Sequence, residues 1–62
     1  MKILYVKDAL AAEAMARVYQ HRLNNLGEQV QRDENTIDVY NYGGILVARI
    51  QVRGKPAPPV DT

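Results

Sequence analysis

The 62-residue sequence carries 8 Lys and Arg against 7 Asp and Glu, a formal net charge of +1 and an apolar fraction of 47%. These values describe one small globular domain near the lower limit of independent folding. With no Cys in the chain, disulfides and thiolate-bound zinc are excluded as staples, and oligomerisation is the common remaining device. Near-zero net charge argues against whole-molecule attraction to nucleic acid or to an anionic membrane. No apolar run approaches the roughly 18 residues of a membrane span, and the opening apolar run is too short for a signal peptide, so a cytosolic protein without membrane contact is expected.

Lys2 to Lys7 reads KILYVK, a strand with Ile3 and Tyr5 on one side and Leu4 and Val6 on the other. Apolar on both sides, it has the pattern of a central strand covered on both faces. Asp8 follows where an N-cap is wanted. The run ALAAEAMARVYQHRLNNL then predicts a helix from about Ala9 to Leu26, with Gly27 as its stop.

At 100° per residue, Leu10, Ala14, Val18, Ala11 and Met15 form a broad stripe, which Leu26, Tyr19, Ala12, Leu23 and Ala16 extend. Glu13, Arg17, Gln20 and Asn24 keep a narrow polar arc. The stripe is about twice the width an ordinary surface helix buries, which predicts a sheet on one side and a second packing partner on the other. Arg22 sits inside this stripe. Its stem can pack while its head reaches water, or it can pair with an anion across a subunit boundary.

Glu28 to Asn35 (EQVQRDEN) is polar and is expected to be a surface loop anchored by Val30. TIDVYNYGGILVARIQVR, residues 36–53, then reads as a hairpin about a two-residue Gly43-Gly44 turn. That turn sets Tyr42 against Ile45, Tyr40 against Val47, Asp38 against Arg49 and Thr36 against Gln51. Asn41–Leu46, Val39–Ala48 and Ile37–Ile50 pair on the opposite face. Opposite charges and β-branched residues thus lie across from each other. The closing GKPAPPVDT has three prolines in nine residues and is expected to be a disordered arm.

The expected fold is therefore α+β in the order β-α-β-β: one helix on one face of a three-stranded sheet with a C-terminal β-hairpin. Residues 1–54 would form the single domain and residues 55–62 a flexible Pro-rich tail. The order and length resemble those of the tautomerases similar to 4-oxalocrotonate tautomerase, which assemble such units into oligomers and use an amino-terminal proline. Residue 2 here is Lys, so no functional residue carries over from that resemblance.

Catalytic groups are few. The chain has no Ser and no Cys, its two threonines (Thr36 and Thr62) lack a neighbouring base, and its one histidine, His21, falls beside Arg17 and Asn25 on the wet side of the helix. Asp33, Glu34 and Asp38 lack the contrasting environments of an acid–base pair, and Gly43-Gly44 lacks the context of a phosphate loop. No catalytic residue, metal site or cofactor is expected.

One helix covers one face of a sheet, which leaves Tyr40, Tyr42, Ile45 and Val47 on the other, rimmed by Thr36, Asp38, Arg49, Gln51 and Arg53. An apolar, Tyr-bearing centre within a polar rim is the anatomy of an interface. The expectation is a non-enzymatic interaction or regulatory protein that self-associates, with a dimer favoured. It would bind or inhibit a larger cytosolic protein, in the manner of small phage or accessory-gene regulators. Tyr40, Tyr42, Ile45, Val47 and Arg49 on the sheet, with Tyr19, Leu23 and Arg22 on the helix, are the candidate interface. The alternative is a nucleic-acid binder using Arg49, Arg53 and Lys55 with Tyr40 and Tyr42 as stacking platforms.

Overall fold

The computed structural model describes residues 1–22 and 30–59. It is an α+β arrangement of one helix and a four-stranded mixed sheet: β1 (Lys2–Val6), α1 (Ala9–Arg22), β2 (Val30–Arg32), β3 (Thr36–Tyr40) and β4 (Leu46–Val52). The spatial order is β1-β4-β3-β2. β1 pairs parallel with β4, whereas β3 pairs antiparallel with both β4 and β2.

Two strand expectations are corrected. β1 stands at an edge rather than in the centre, because the longer β4 accepts β1 on one side and β3 on the other. Ile3 and Tyr5 are consequently exposed. Part of the expected loop is the short edge strand β2, so the sheet has four strands and not three. Val30 does anchor it, packing against the core cluster. The strand is three residues, VQR, too short and too polar to announce itself by alternation. Its turn is closed by the Asp33 N–H donating to the Thr36 carbonyl at 2.9 Å.

Asp8 caps α1 as its position predicts, accepting the Ala11 N–H on Oδ1 at 2.8 Å. Residues 23–29, which include Leu23, Leu26 and Gly27, lie outside the described residues. The sheet-facing side of α1 is Ala12 and Ala16, both buried, with Met15 and Tyr19 half-buried beside them. Short alanine side chains let the helix axis come close to the sheet. Ile37, Val39 and Ile50 fill the space beneath, joined by Leu4 and Val6. The opposite side of the helix, Leu10 and Val18 with Ala14 between them, is exposed.

The hairpin holds its expected register from Thr36↔Gln51 through Ile37↔Ile50 and Asp38↔Arg49 to Val39↔Ala48, then shifts by one to Tyr40↔Leu46. Val47 is the extra residue of this β-bulge. It turns to the helix side and packs on the core, which corrects its expected place on the outer face. The connection is the three residues Tyr42-Gly43-Gly44, not a Gly-Gly pair. Asn41 closes it from both ends. Its N–H donates to the Ile45 carbonyl, its carbonyl accepts from Gly44, and its Oδ1 accepts from Gly43 at 2.8 Å and Ile45 at 3.1 Å. Of the loop's two glycines only Gly44 has a positive φ, 77°, as the left-handed third position of such a loop requires. The Asn41 side chain selected the longer turn.

The proline-rich segment, expected to be a disordered arm, is laid against the sheet as far as it is described. Beyond β4 the Lys55 N–H donates to the Val52 carbonyl across Gly54 at φ 77°, the geometry that favours glycine at the third position of a tight turn. The chain reverses there and runs back along the face that α1 leaves uncovered.

Candidate interaction site on the outer sheet face

Strand alternation places Ile3, Tyr5, Thr36, Asp38, Arg49 and Gln51 on the face away from α1, because their registered neighbours Leu4, Ile37, Val39 and Ile50 belong to the core. The centre of this face is an ion pair. Arg49 donates from Nε to Asp38 Oδ1 at 2.8 Å and from Nη2 to Oδ2 at 3.0 Å, a bidentate fork that fixes both planes. A guanidinium on a sheet surface ordinarily stays wet, yet Arg49 is only 4% exposed. The cover is the proline segment, whose Pro58 carbonyl accepts from Arg49 Nη1. Two residues earlier the Pro56 carbonyl accepts from Asn35 Nδ2 at 3.0 Å.

The hydrogen bonds to Asp38 hold Arg49 above its ordinary guanidinium value against the opposing effect of burial, and Coulomb attraction to Asp38 adds to them. Arg49 therefore stays charged at every pH a protein meets. Among the described residues, no buried side-chain nitrogen or oxygen lacks a hydrogen-bond partner. Beside the pair, Gln31, Asp33, Tyr40, Pro58 and Pro59 line a cleft of about 180 Å³. A smaller one, about 110 Å³, lies under the start of α1 beside Glu13 and Arg32.

The residues expected to form one interface are thus distributed over several places. Tyr42 and Ile45 project from the hairpin loop, 68% and 65% exposed. Tyr40 is half-buried at the cleft, and Val47 belongs to the core. Arg49 is a covered ion-pair member rather than the wet rim charge expected of it. Tyr19 packs against the core, while the Arg22 guanidinium lies 5.7 Å from its ring centroid, within cation–π range. Leu23 lies outside the described residues.

The sequence reading missed Ile3 and Tyr5 as outer-face residues and Asn35 as a donor to the proline segment. Ile3 and Tyr5 were legible as one side of an apolar strand, but β1's edge position depends on β4 pairing on both sides. Asn35 carried no signal beyond turn propensity. Among the described residues, no group of three or more His, Asp or Glu forms a metal-ligand set, and no described helix is long and apolar enough to cross a membrane. No protein-family model, curated protein or solved structure matches this chain.

Proposed function

We propose that this chain is a small, non-enzymatic, cytosolic interaction protein that self-associates through its open β1 edge. In doing so it presents the hairpin loop, Tyr42 and Ile45, to a larger protein. One observation carries the reading. Met1, Ile3, Tyr5, Leu10, Val18, Tyr42 and Ile45 are all large, apolar and exposed, whereas among the described residues three of the seven buried apolar side chains are Ala12, Ala16 and Ala48. A domain of this size is short of core to begin with, and burying some of that surface against a second copy supplies what one copy lacks.

β1 suits an isologous contact. Among the described residues only β4 pairs with it in the sheet, Ile3 and Tyr5 stand on its outer side, and its nearest lysines are Lys2, which opens it, and Lys7, which follows it. Apolar edges with so little protective charge are those that pair. The rival nucleic-acid reading loses its central contact, because Arg49 is engaged by Asp38 and Pro58.

Sedimentation velocity at micromolar concentration tests the proposal. The wild-type chain is expected to be a dimer, and Tyr5→Lys should shift it to monomer while its circular dichroism stays unchanged. Loss of a central aromatic typically costs about 2 kcal/mol of association, roughly a thirtyfold weaker dimer. A wild-type monomer that persists as concentration is raised would refute self-association. A steep salt dependence of binding to RNA or DNA would move the assignment to the nucleic-acid reading.

A further inference from the structure

The ion pair at the centre of the outer face is built to be covered. Arg49 directs Nε and Nη2 to Asp38 and Nη1 away from it, to a backbone carbonyl of the proline segment. Asn35 offers its side-chain N–H₂ to a second carbonyl of the same segment. Both contacts are to main-chain oxygens, so they read an extended backbone rather than particular side chains. Tyr40 lines the cleft with Pro58 and Pro59. Outward-facing donors beside an aromatic wall are the usual equipment of a groove for proline-rich chains. Such chains arrive pre-extended and lose little conformational entropy on docking.

We propose that this groove, bounded by Asn35, Tyr40 and the Asp38–Arg49 pair, is a binding site for an extended, proline-containing peptide, and that the chain's own Lys55–Pro59 segment is its resident, exchangeable occupant. Gly54 makes the occupancy possible by turning the chain back over the sheet. A partner carrying a similar segment gains the groove by displacing the tethered one. The tether raises the bar for that partner, since a short linker confers an effective concentration on the order of millimolar. The segment therefore restricts the groove to tight or multivalent ligands. This inference is independent of the self-association proposed for the β1 edge.

The chain contains no cysteine, so Thr62→Cys creates a unique site for a nitroxide label in the full-length protein. Amide signals of Thr36, Asp38, Arg49 and Gln51 should broaden when label and ¹⁵N are on the same molecule. A synthetic peptide of residues 55–62, added several-fold above the millimolar range, should restore them. In Gly54→Ala, which strains the turn that returns the tethered segment and leaves every groove residue unchanged, the same recovery should need about five- to thirtyfold less peptide, the usual effect of a left-handed backbone at a non-glycine residue. Three results would overturn the proposal: no broadening, broadening that excess peptide leaves untouched, or broadening seen only between molecules in a mixed sample. The second would make the segment a permanent part of the fold, and the third an exchange of tails between copies.

Discussion

On its helix side the sheet meets Ala12 and Ala16, side chains so short that α1 settles directly onto Ile37, Val39 and Ile50. On its other side it meets a proline segment with no hydrogen-bonded secondary structure of its own, and what lies between is a bidentate ion pair. Both the helix face and the centre of the outer face, at Asp38 and Arg49, exclude water, but they obey different limits. Volume limits the helix face, where any added methylene must displace a neighbour. Polar satisfaction limits the outer face, where a buried guanidinium is tolerable only while every donor is engaged. A sheet of four short strands with a single helix can therefore bury the centre of its second face, while Ile3 and Tyr5 at the β1 edge stay exposed.

The largest effect should come from breaking the outer face at its centre. Arg49→Ala leaves Asp38 without its partner beneath the proline segment, and such losses typically cost about 3–5 kcal/mol. A domain of this size has a total stability of similar magnitude, at roughly 0.05–0.15 kcal/mol per residue, so the variant should be largely unfolded in urea titrations that leave the wild type intact. Replacing both partners, Asp38→Leu with Arg49→Met, should recover much of the loss, because an apolar pair of similar volume needs no partner. A wild-type midpoint for Arg49→Ala would mean that the pair behaves as a surface bridge.

The helix face breaks by overfilling. Ala16 is fully buried, and Ala16→Leu should cost about 1–3 kcal/mol through displaced neighbours. The same change at exposed Ala14 should stay within about 0.5 kcal/mol. Thermal denaturation of the two variants compares the helix's two sides directly, and equal shifts would contradict the packing described.

The two positive-φ glycines among the described residues sharpen the comparison further. Gly44 and Gly54 share φ 77° with open space where a Cβ would go, so alanine at either should cost about 1–2 kcal/mol from backbone strain alone. Only Gly54 directs the proline segment over the outer face. Gly54→Ala should therefore also raise hydrogen exchange at the Arg49 side chain, and Gly44→Ala should not.

Local features of the chain were legible in the sequence. The Asp8 cap, the helix it opens as far as Arg22 and the far half of the hairpin register follow from one or two neighbouring residues, and the structure has them as read. Features set by competition were not. The two-residue turn at Gly43-Gly44 lost to the four hydrogen bonds by which Asn41 closes a three-residue loop, and this moved Val47 from the outer face to the core. Arg49 was legible as the cross-strand partner of Asp38, but its burial depends on a segment whose composition reads as disorder. Proline removes a segment's own hydrogen-bonding pattern without preventing its carbonyls from accepting bonds elsewhere, and composition does not register that difference. The apolar excess of the helix was legible, and its exposed half, Leu10 and Val18, remains consistent with a second packing partner.

The smallest effect should come from the other bidentate pair among the described residues, which is the exposed counterpart of the first. Arg32 on β2 donates to Glu13 on α1 from Nε at 2.8 Å and from Nη2 at 2.9 Å, so its geometry nearly matches that of Arg49 and Asp38. Its setting does not, since both side chains are more than a third exposed. Water and salt screen such a pair, and its contribution should be only about 0–1 kcal/mol. The hydrogen bond from Arg32 lowers the Glu13 carboxyl below 4.5, and attraction to Arg32 and Arg17 adds to it against the opposing effect of burial. A depressed carboxyl contributes its stability above the unfolded value and loses it as pH falls through the folded one. The stability difference between wild type and Glu13→Gln should therefore be present at neutral pH and disappear on acidification below about 4.5. It should also shrink in molar salt at neutral pH, whereas the cost of Arg49→Ala should scarcely respond to salt. Urea titrations of both variants across pH and salt compare two nearly identical forks that differ in burial. If Glu13→Gln costs as much as Arg49→Ala, or is as insensitive to salt, burial is not what separates the two faces.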